Sequence, residues 1–188
     1  MSTKMDALSV AIAMRLRRER ETRGWTLADL AERAAVSKAM ISKIERAETS
    51  PTAVLLGRLS GAFGITLSKL LDHSEESNGR LIRAGAQPKW KDPATGYVRT
   101  RVTPNSAYPI EVIAVELPAG ASVAFPASSY AFIQQSIWVT AGKLTFTEGD
   151  EIHRLKQGDC LQLGPPTDCV FLNETEVQTK YNVVLLHR

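Results

Sequence analysis

The 188-residue sequence predicts an α+β protein of two domains, in which five short helices precede a β-barrel. Apolar residues recur at helical spacing up to residue 71, and at a spacing of two from about residue 97. Between these regions lies the polar stretch DHSEESNGR, residues 72–80, which is typical of a linker. We therefore expect a helical domain over residues 1–73, a linker over 74–85 and a barrel over 86–188.

Composition and targeting signals favour a soluble cytoplasmic protein. The apolar stretch ALSVAIAM near the N-terminus is too short to span a membrane, and RLRRER follows it instead of a cleavage site. The two cysteines, Cys160 and Cys169, are too few for a disulfide framework, so we expect free thiols in a reducing compartment.

Charge is distributed unevenly along the chain. Residues 1–74 carry a net charge of +4, whereas residues 75–188 carry −1. An excess of positive charge confined to the helical part indicates a polyanionic partner for that part alone.

Four helix starts are predicted by residues that cap helices. Thr26 stands three residues before Asp29, which is close to a capping box, and Ser37 and Thr66 precede the third and fifth helices. For the fourth helix, Ser50–Pro51 suits a cap followed by the first helical position.

The stretch WTLADLAERAAVSKAMISKIERAETSP predicts two helices joined by a turn near residues 34–37. At 100° per residue, Ile41, Ile44 and marginally Met40 of the second helix point inward. The outward face carries three cations, no carboxylate and two small side chains, and consists of Lys38, Ala39, Ser42, Lys43 and Arg46.

This helix pair resembles the Xre-type, lambda-repressor-like helix-turn-helix family over about residues 8–71. The resemblance implies that the second helix lies in the major groove, with base or groove contacts from Lys38, Ala39 and Lys43. It also implies phosphate contacts from Ser37 and Thr26 at helix N-termini. The positions that match the family are Ala31, Val36, Ser37, Ile41, Ser42, Ile44, Glu45 and Ser50–Pro51.

The same resemblance implies a structural ion pair between Arg20 and Glu45. One position departs from the family, because Ala35 replaces the usual glycine of the turn, where φ is often positive. An amphipathic helical bundle with a solvated charged face is the alternative to DNA binding. Base identity is not readable, since lysine contacts both guanine and phosphate.

The C-terminal region, about residues 110–186, resembles the cupin family, a double-stranded β-helix. Gly120 and Gly142 match the ends of the first cupin motif, and Gly158 and Asn173 those of the second. The metal-ligand positions of these motifs are occupied by Pro126, Ser128, Gln135 and Cys169.

This donor set predicts a barrel without a metal cofactor and without catalytic residues. A transition metal needs several imidazole, thiolate or carboxylate donors that converge, and Cys169 offers at most one. His73, His153 and His187 lie in the linker, on a charged strand and at the C-terminus. Cys169 has no base beside it in the sequence pattern, so we interpret it as a small buried residue; a redox-sensing role is a weaker alternative.

Strand alternation predicts a ligand pocket inside the barrel. It directs Gln135, Ile137 and Val139 inward, together with Cys169, Phe171 and Asn173, and Trp138 outward. The predicted pocket residues are Ser128, Gln135, Ile137, Cys169 and Phe171. Arg99 and Arg101 share a strand face with Tyr97. We interpret this face either as an exposed polar face or as a site where the two arginines bind a ligand carboxylate.

The two resemblances together imply a one-component bacterial transcriptional regulator. Such a regulator binds a palindromic DNA operator as a homodimer and responds to a small metabolite in the barrel. Two alternatives stay open: a metal-dependent cupin enzyme tethered to DNA, and a DNA-binding protein whose filled barrel serves only dimerisation.

Overall fold

The computed structural model describes residues 7–71, 79–105 and 108–187. Its N-terminal part consists of five helices, as predicted. They are α1 (Ala7–Thr22), α2 (Leu27–Ala34), α3 (Lys38–Glu45), α4 (Ala53–Phe63) and α5 (Leu67–Leu71). None of the described helices combines the length and the apolar character needed to cross a membrane.

Three of the predicted helix starts are present, and one is wrong. Thr26 and Asp29 form a reciprocal capping box, the Ser37 hydroxyl accepts from Met40 N, and the Thr66 hydroxyl accepts from Lys69 N. Helix α4, however, begins two residues later than predicted, because Thr52 and not Ser50 is its N-cap. Pro51 is therefore outside the helix.

The turn between α2 and α3 has the backbone conformation expected of it. Ala35 adopts φ 49° and ψ 43°, in the left-handed region that the sequence pattern predicts for this position. Its N–H bonds back to carbonyls of the last turn of α2, which ends that helix sharply. The two helices pack through apolar side chains buried in the helical core, among them Leu16, Leu30, Ile41, Ile44, Leu56 and Leu59.

Among the described residues the C-terminal part contains ten strands. Eight of them match the stretches of the sequence whose alternation predicts a strand, namely YVRTRV, IEVIAVEL, SIWVTA, KLTFT, EIHRL, CLQL, CVFLN and YNVVLL. The strands are β1 (Lys89–Lys91), β2 (Val98–Arg101), β3 (Ile110–Leu117), β4 (Ser122–Phe125), β5 (Ile133–Ala141), β6 (Lys143–Glu148), β7 (Glu151–Lys156), β8 (Cys160–Gln162), β9 (Cys169–Leu172) and β10 (Thr179–His187). The two short strands β1 and β4 were not predicted, because three or four residues carry little alternation.

These strands form two antiparallel sheets that face each other. The larger sheet has the order β1-β2-β3-β10-β5-β8, and the smaller has the order β4-β9-β6-β7. Their inner faces bury aromatic side chains, with Phe171 stacked on Tyr181 at 5.6 Å between ring centroids. This closed arrangement of short strands confirms the predicted double-stranded β-helix.

Of the predicted linker, residues 79–85 are described and residues 74–78 are not. Residues 72–78, which include His73, are outside the described residues. Where the chain resumes, residues 79–88 contain one short 3-10 turn, Ala84–Ala86, before β1 begins at Lys89.

Candidate nucleic-acid interface and barrel cavity

Helix α3 presents an exposed polar face opposite its buried Ile41 and Ile44. Lys38, Ala39 and Lys43 are exposed on this face, as predicted from the helical wheel. Ser37 caps the helix, and its first turn contains no acidic residue. The positive end of the helix dipole and two lysines therefore point to solvent from one small surface, which suits an anion.

The sequence predicts that the outward face of α3 carries no carboxylate, but in the structure Arg46 on this face is paired with one. Its guanidinium forms two hydrogen bonds to the Glu48 carboxylate, at 2.6 and 2.9 Å, and a further short contact to the Ser42 hydroxyl. The turn after α3 thus brings a carboxylate to this face, which a wheel confined to the helix does not reveal. Of the three predicted cations, Lys38 and Lys43 carry the free charge on α3.

Thr26 is exposed at the start of α2, where the sequence predicts a phosphate contact. Its backbone N–H and its hydroxyl both donate to Asp29 Oδ2, each at 2.7 Å. The hydrogen bond from the Thr26 hydroxyl, followed by the one from its backbone N–H, lowers the pKa of Asp29. The Asp29 carboxylate therefore stays charged at the start of the helix. A phosphate at this end of α2 therefore has to compete with the Asp29 carboxylate. At the start of α3, beside Ser37, there is no carboxylate in the first turn.

Arg20 and Glu45 join α1 to the end of α3. Arg20 Nε and Nη2 donate to the two Glu45 oxygens at 2.7 and 2.8 Å, with side chains 13% and 8% exposed. A third donor, Arg20 Nη1, binds the carbonyl of Trp25 at 3.0 Å. The hydrogen bond to Glu45 raises the pKa of Arg20, against the cost of its burial. This bidentate pair fixes the orientation of α3 on the domain.

One end of the barrel opens into a cavity of about 330 Å³. Gln135 and Cys169, two of the predicted pocket residues, line it. The full lining is Tyr130, Ile133, Gln134, Gln135, Glu148, Gln162, Leu163, Gly164, Pro165, Pro166, Thr167 and Cys169. Side chains therefore do not fill the barrel at this end. A cavity of this size accommodates a small organic ligand.

The other predicted pocket residues lie elsewhere. Ser128 is an exposed residue that packs beside Gly61 of α4, and it does not line the cavity. Ile137 is fully buried in the barrel core and lines neither the cavity nor the space behind it. Phe171 lines a narrower space of about 40 Å³ between the barrel and the helices, which shares Tyr130, Ile133 and Gln135 with the cavity.

The two candidate arginines on β2 are partly buried instead of lying on an exposed face. Arg99 donates from Nη2 to the Ser68 hydroxyl of α5 at 2.9 Å. Arg101 lies 3.7 Å from the Glu111 carboxylate and donates to Asn105 Oδ1 at 3.2 Å. Both side chains are thus engaged by the protein itself, and neither lines the large cavity.

Cys169 is buried in β9, whereas Cys160 is exposed on β8 in the other sheet. Burial, followed by the nearby Glu148 charge, raises the pKa of the Cys169 thiol to about 12. The thiol is therefore neutral at physiological pH, which does not suit a nucleophile or a redox sensor.

Glu148 and Tyr130 are cavity residues that the sequence pattern missed. Glu148 ends β6 within the turn-like letters TEGD, and Tyr130 follows a 3-10 turn, so neither has an alternation signal. Burial raises the pKa of the Tyr130 hydroxyl. The only sequence signal for Glu148 is its position directly before the turn between β6 and β7, across which it pairs with Glu151 and where charge is usually solvated.

The residues present do not fit the metal that cupins hold. Among the residues that the structure describes, no three His, Cys, Asp or Glu side chains are grouped to bind an ion. Of the four motif positions, only Gln135 and Cys169 line the cavity. Asn173, at the end of the second motif, uses its amide nitrogen to donate to the carbonyls of Leu117, Pro118 and Val177 and thus organises turns.

Comparison with known proteins gives matches to the helical region alone and a match to the whole chain. The HTH_3 helix-turn-helix family matches residues 16–70. Residues 16–70 form a helix-turn-helix domain of the HTH_3 family. This HTH domain comprises α2 and α3 and the helices that support them. It contains all seven residues assigned to the DNA-binding face from the sequence, which are Thr26, Ser37, Lys38, Ala39, Ser42, Lys43 and Arg46.

The curated relatives resemble the HTH domain. The chain is 37% identical over 67 residues to the HTH-type transcriptional regulator SutR of Escherichia coli K12, covering 36% of this chain and 38% of that protein. It is 36% identical over 73 residues to the HTH-type transcriptional regulator SinR of Bacillus subtilis, covering 37% of this chain and 66% of that protein. The chain thus spans less than two thirds of the length of these relatives.

A solved structure shares the whole two-domain fold. An HTH_3 family transcriptional regulator from Vibrio cholerae superposes with a TM-score of 0.78 at 21% identity, covering 96% of this chain and 97% of that one. The arrangement of helical domain and barrel therefore recurs in a second protein of low sequence identity.

The HTH domain packs directly on the barrel through helix α4. Ser129 donates from its hydroxyl to the carbonyl of Gly57 at 2.9 Å. A Cβ atom added at Gly57 would lie 2.5 Å from the Phe125 ring, and one at Gly61 2.9 Å from the backbone of Ser128. Two glycines one helical turn apart thus allow residues 125–130 of the barrel to contact the backbone of α4.

Proposed function

We propose that this protein is a bacterial transcriptional regulator that binds a palindromic operator as a homodimer. In this proposal a small metabolite in the barrel cavity changes its affinity for DNA, without a metal and without catalysis. The observation that carries the proposal is the exposed α3 face of an HTH_3 domain, with Lys38 at a helix N-terminus that has no acidic residue and Lys43 in the last turn.

The proposed DNA contacts follow from the chemistry of this face. The first residues of a recognition helix reach base edges in the major groove, and this helix begins with Lys38 and the small Ala39. Ser37 and the first backbone N–H groups suit a phosphate oxygen. The named relatives, SutR and SinR, are transcriptional regulators, which supports the same role for this chain.

Dimerisation is supported by an apolar outer face on the larger sheet. Trp138 is 48% exposed on β5, and Val184 and Leu186 are exposed on the adjacent β10. Ile110 pairs with Leu186 and extends the patch onto β3. Contiguous exposed apolar side chains mark interaction surfaces, and a two-fold dimer would place two α3 helices about 34 Å apart on DNA.

Ligand control is supported by the position of residues 125–130. Tyr130 lines the cavity, while the preceding Ser128 and Ser129 contact Gly61 and Gly57 of α4. The Ala127 N–H also donates to Asp168 Oδ1 at 2.8 Å, next to the Thr167 rim of the cavity. A ligand that moves Tyr130 would therefore displace residues in contact with the HTH domain, which is the differential contact that allosteric control requires.

The test is selection of bound fragments from bacterial genomic DNA, followed by nuclease footprinting of the selected sites. We expect protected sites with inverted repeats and one dimer per site in sedimentation experiments. Trp138→Glu should yield monomers with weaker operator binding, whereas Ile152→Glu, an exposed position on β7 of the smaller sheet, should not. Absence of any selected DNA sequence would contradict the proposal.

A further inference from the structure

We propose that the barrel cavity binds a small protonated amine, with Glu148 as the counter-ion of the ammonium group. This inference deepens the proposed function, because it assigns a chemical class to the effector and rests on that function for its regulatory meaning. The juxtaposition that carries it is one largely buried carboxylate together with the buried, unpartnered amide nitrogen of Gln135 in a cavity of about 330 Å³.

The cavity has a negative charge that the protein does not neutralise. Among the described lining residues, none is lysine or arginine, and Glu148 is the only charged one. Its side chain is 13% exposed, and Oε1 accepts a hydrogen bond from Gly164 N at 2.9 Å. A largely buried carboxylate is costly without a positive partner, so a cationic ligand would be stabilised here.

His153 does not remove this charge. Its Nε2 lies 3.9 Å from Glu148 Oε2, beyond hydrogen-bond distance, and 3.6 Å from Glu151 Oε2. Two carboxylates share one imidazole, so even a protonated His153 leaves the group with a net negative charge. Asp168 adds a second carboxylate near the cavity, since both Glu148 and Asp168 raise the pKa of Cys169.

The Gln135 amide nitrogen lacks an acceptor among the described residues. It is buried, and Gln135 lines the cavity. The Tyr130 hydroxyl, which is also in the lining, interacts with the Cys169 thiol, a weak acceptor. Buried donors are usually paired, so an oxygen acceptor on the ligand would complete the hydrogen bonding of Gln135. The ligand is therefore an amine that also carries a hydroxyl or carbonyl oxygen.

The remaining lining limits the ligand to a small and partly apolar molecule. Ile133 and Leu163 contribute apolar surface, and Pro165 and Pro166 form part of the rim. The neutral Cys169 thiol adds no charge. Anionic metabolites such as carboxylates and phosphates would meet Glu148 without a compensating cation, so the cavity selects against them.

The test is calorimetric titration of the full chain with three ligands of similar skeleton and different charge. They are 4-aminobutan-1-ol, butane-1,4-diol and 4-hydroxybutyrate. We expect the amine to bind at least about tenfold more tightly than the diol, because a charge-assisted contact to a buried carboxylate adds well over 1 kcal/mol, and 4-hydroxybutyrate to bind most weakly. Glu148→Gln keeps the acceptor for Gly164 and should remove the preference for the amine.

Glu151→Gln is the matched control, because it removes the same charge from an exposed residue that does not line the cavity. It should retain the preference. Equal or tighter binding of the diol or of 4-hydroxybutyrate would overturn the inference, as would binding of none of the three at about 10 mM, or an amine preference that survives Glu148→Gln. Binding to selected operator DNA, measured on the same protein, separates this failure from failure of the proposed function.

Discussion

Asp92 of the barrel caps helix α4 of the HTH domain. Its Oδ1 accepts a hydrogen bond from the backbone N of Ala53 at 2.9 Å, although the two residues are 39 positions apart. Oδ2 accepts from the N–H and the hydroxyl of Thr95, at 3.0 and 2.5 Å. A buried carboxylate at a helix N-terminus is stabilised by the helix dipole, so this contact fixes one end of α4 to the barrel.

Replacing Asp92 by alanine should destabilise both domains together. The change leaves the buried Ala53 and Thr95 donors without an acceptor, and we expect a loss of about 2 to 4 kcal/mol in the free energy of unfolding. Denaturant titration measures it. Asp159→Ala is the control, because Asp159 accepts from Lys156 N in an exposed turn within the barrel. An equal effect of both variants would contradict a special role for the contact.

The glycine at position 61 tests the contact between α4 and the barrel. Alanine in an exposed helix interior is usually more stabilising than glycine by about 0.5 to 1 kcal/mol. Here the added Cβ would lie 2.9 Å from the carbonyl carbon of Ser128, so we expect Gly61→Ala to lower the melting temperature. Gly85→Ala, which meets no atom within 4 Å, is the matched control. A rise in melting temperature for Gly61→Ala would show that the contact is loose.

Glu45→Ala should destabilise the HTH domain by about 2 to 4 kcal/mol, because it leaves the largely buried Arg20 with only the exposed Glu21, 3.6 Å away, as a counter-ion. The double variant with Arg20→Ala should lose less than the sum of the two single losses, and a double-mutant cycle in denaturant measures the coupling. Glu48→Ala, which removes an exposed partner of Arg46, should change stability little. Additive losses at positions 20 and 45 would argue against the pair.

Replacing Lys38 and Lys43 together by alanine should weaken operator binding and leave folding intact. Each lysine that contacts a phosphate contributes about 0.9 to the slope of log affinity against log salt, so the slope should fall by up to about two. Titration at several salt concentrations measures it. The control is Lys143→Ala with Lys156→Ala, a cross-strand pair on the barrel that removes the same charge. Unchanged binding with the α3 variant would place the interface elsewhere.

The two thiols should differ in reactivity. Because the pKa of Cys169 is raised to about 12, only about one thiol in ten thousand is ionised at pH 8. Iodoacetamide should therefore label the exposed Cys160 in the native protein and both cysteines after unfolding, as read by mass spectrometry. Cys160→Ser should give no native labelling. Labelling of native Cys169 at the rate of Cys160 would show that the cavity ionises its thiol.

Local rules in the sequence were enough for the elements and for part of the site. The capping box of Thr26 and Asp29 spans three residues, and the burial of Gln135 and Cys169 follows from strand alternation. The start of α4 was misplaced at Ser50–Pro51, because Thr52 is also a capping residue and the sequence offers both. Local patterns of this kind give the type of an element more reliably than its boundary.

What only the tertiary structure decided involves residues far apart in the chain. Strand pairing places Glu148 beside Cys169, and the packing of the two domains brings Asp92 to Ala53 and Ser128 to Gly61. The amino-acid sequence by itself determined two domains, their helices and strands, and the exposed lysines of α3. Periodicity and caps depend on neighbours within a few residues, whereas a cavity and its charge depend on how separate elements close on one another.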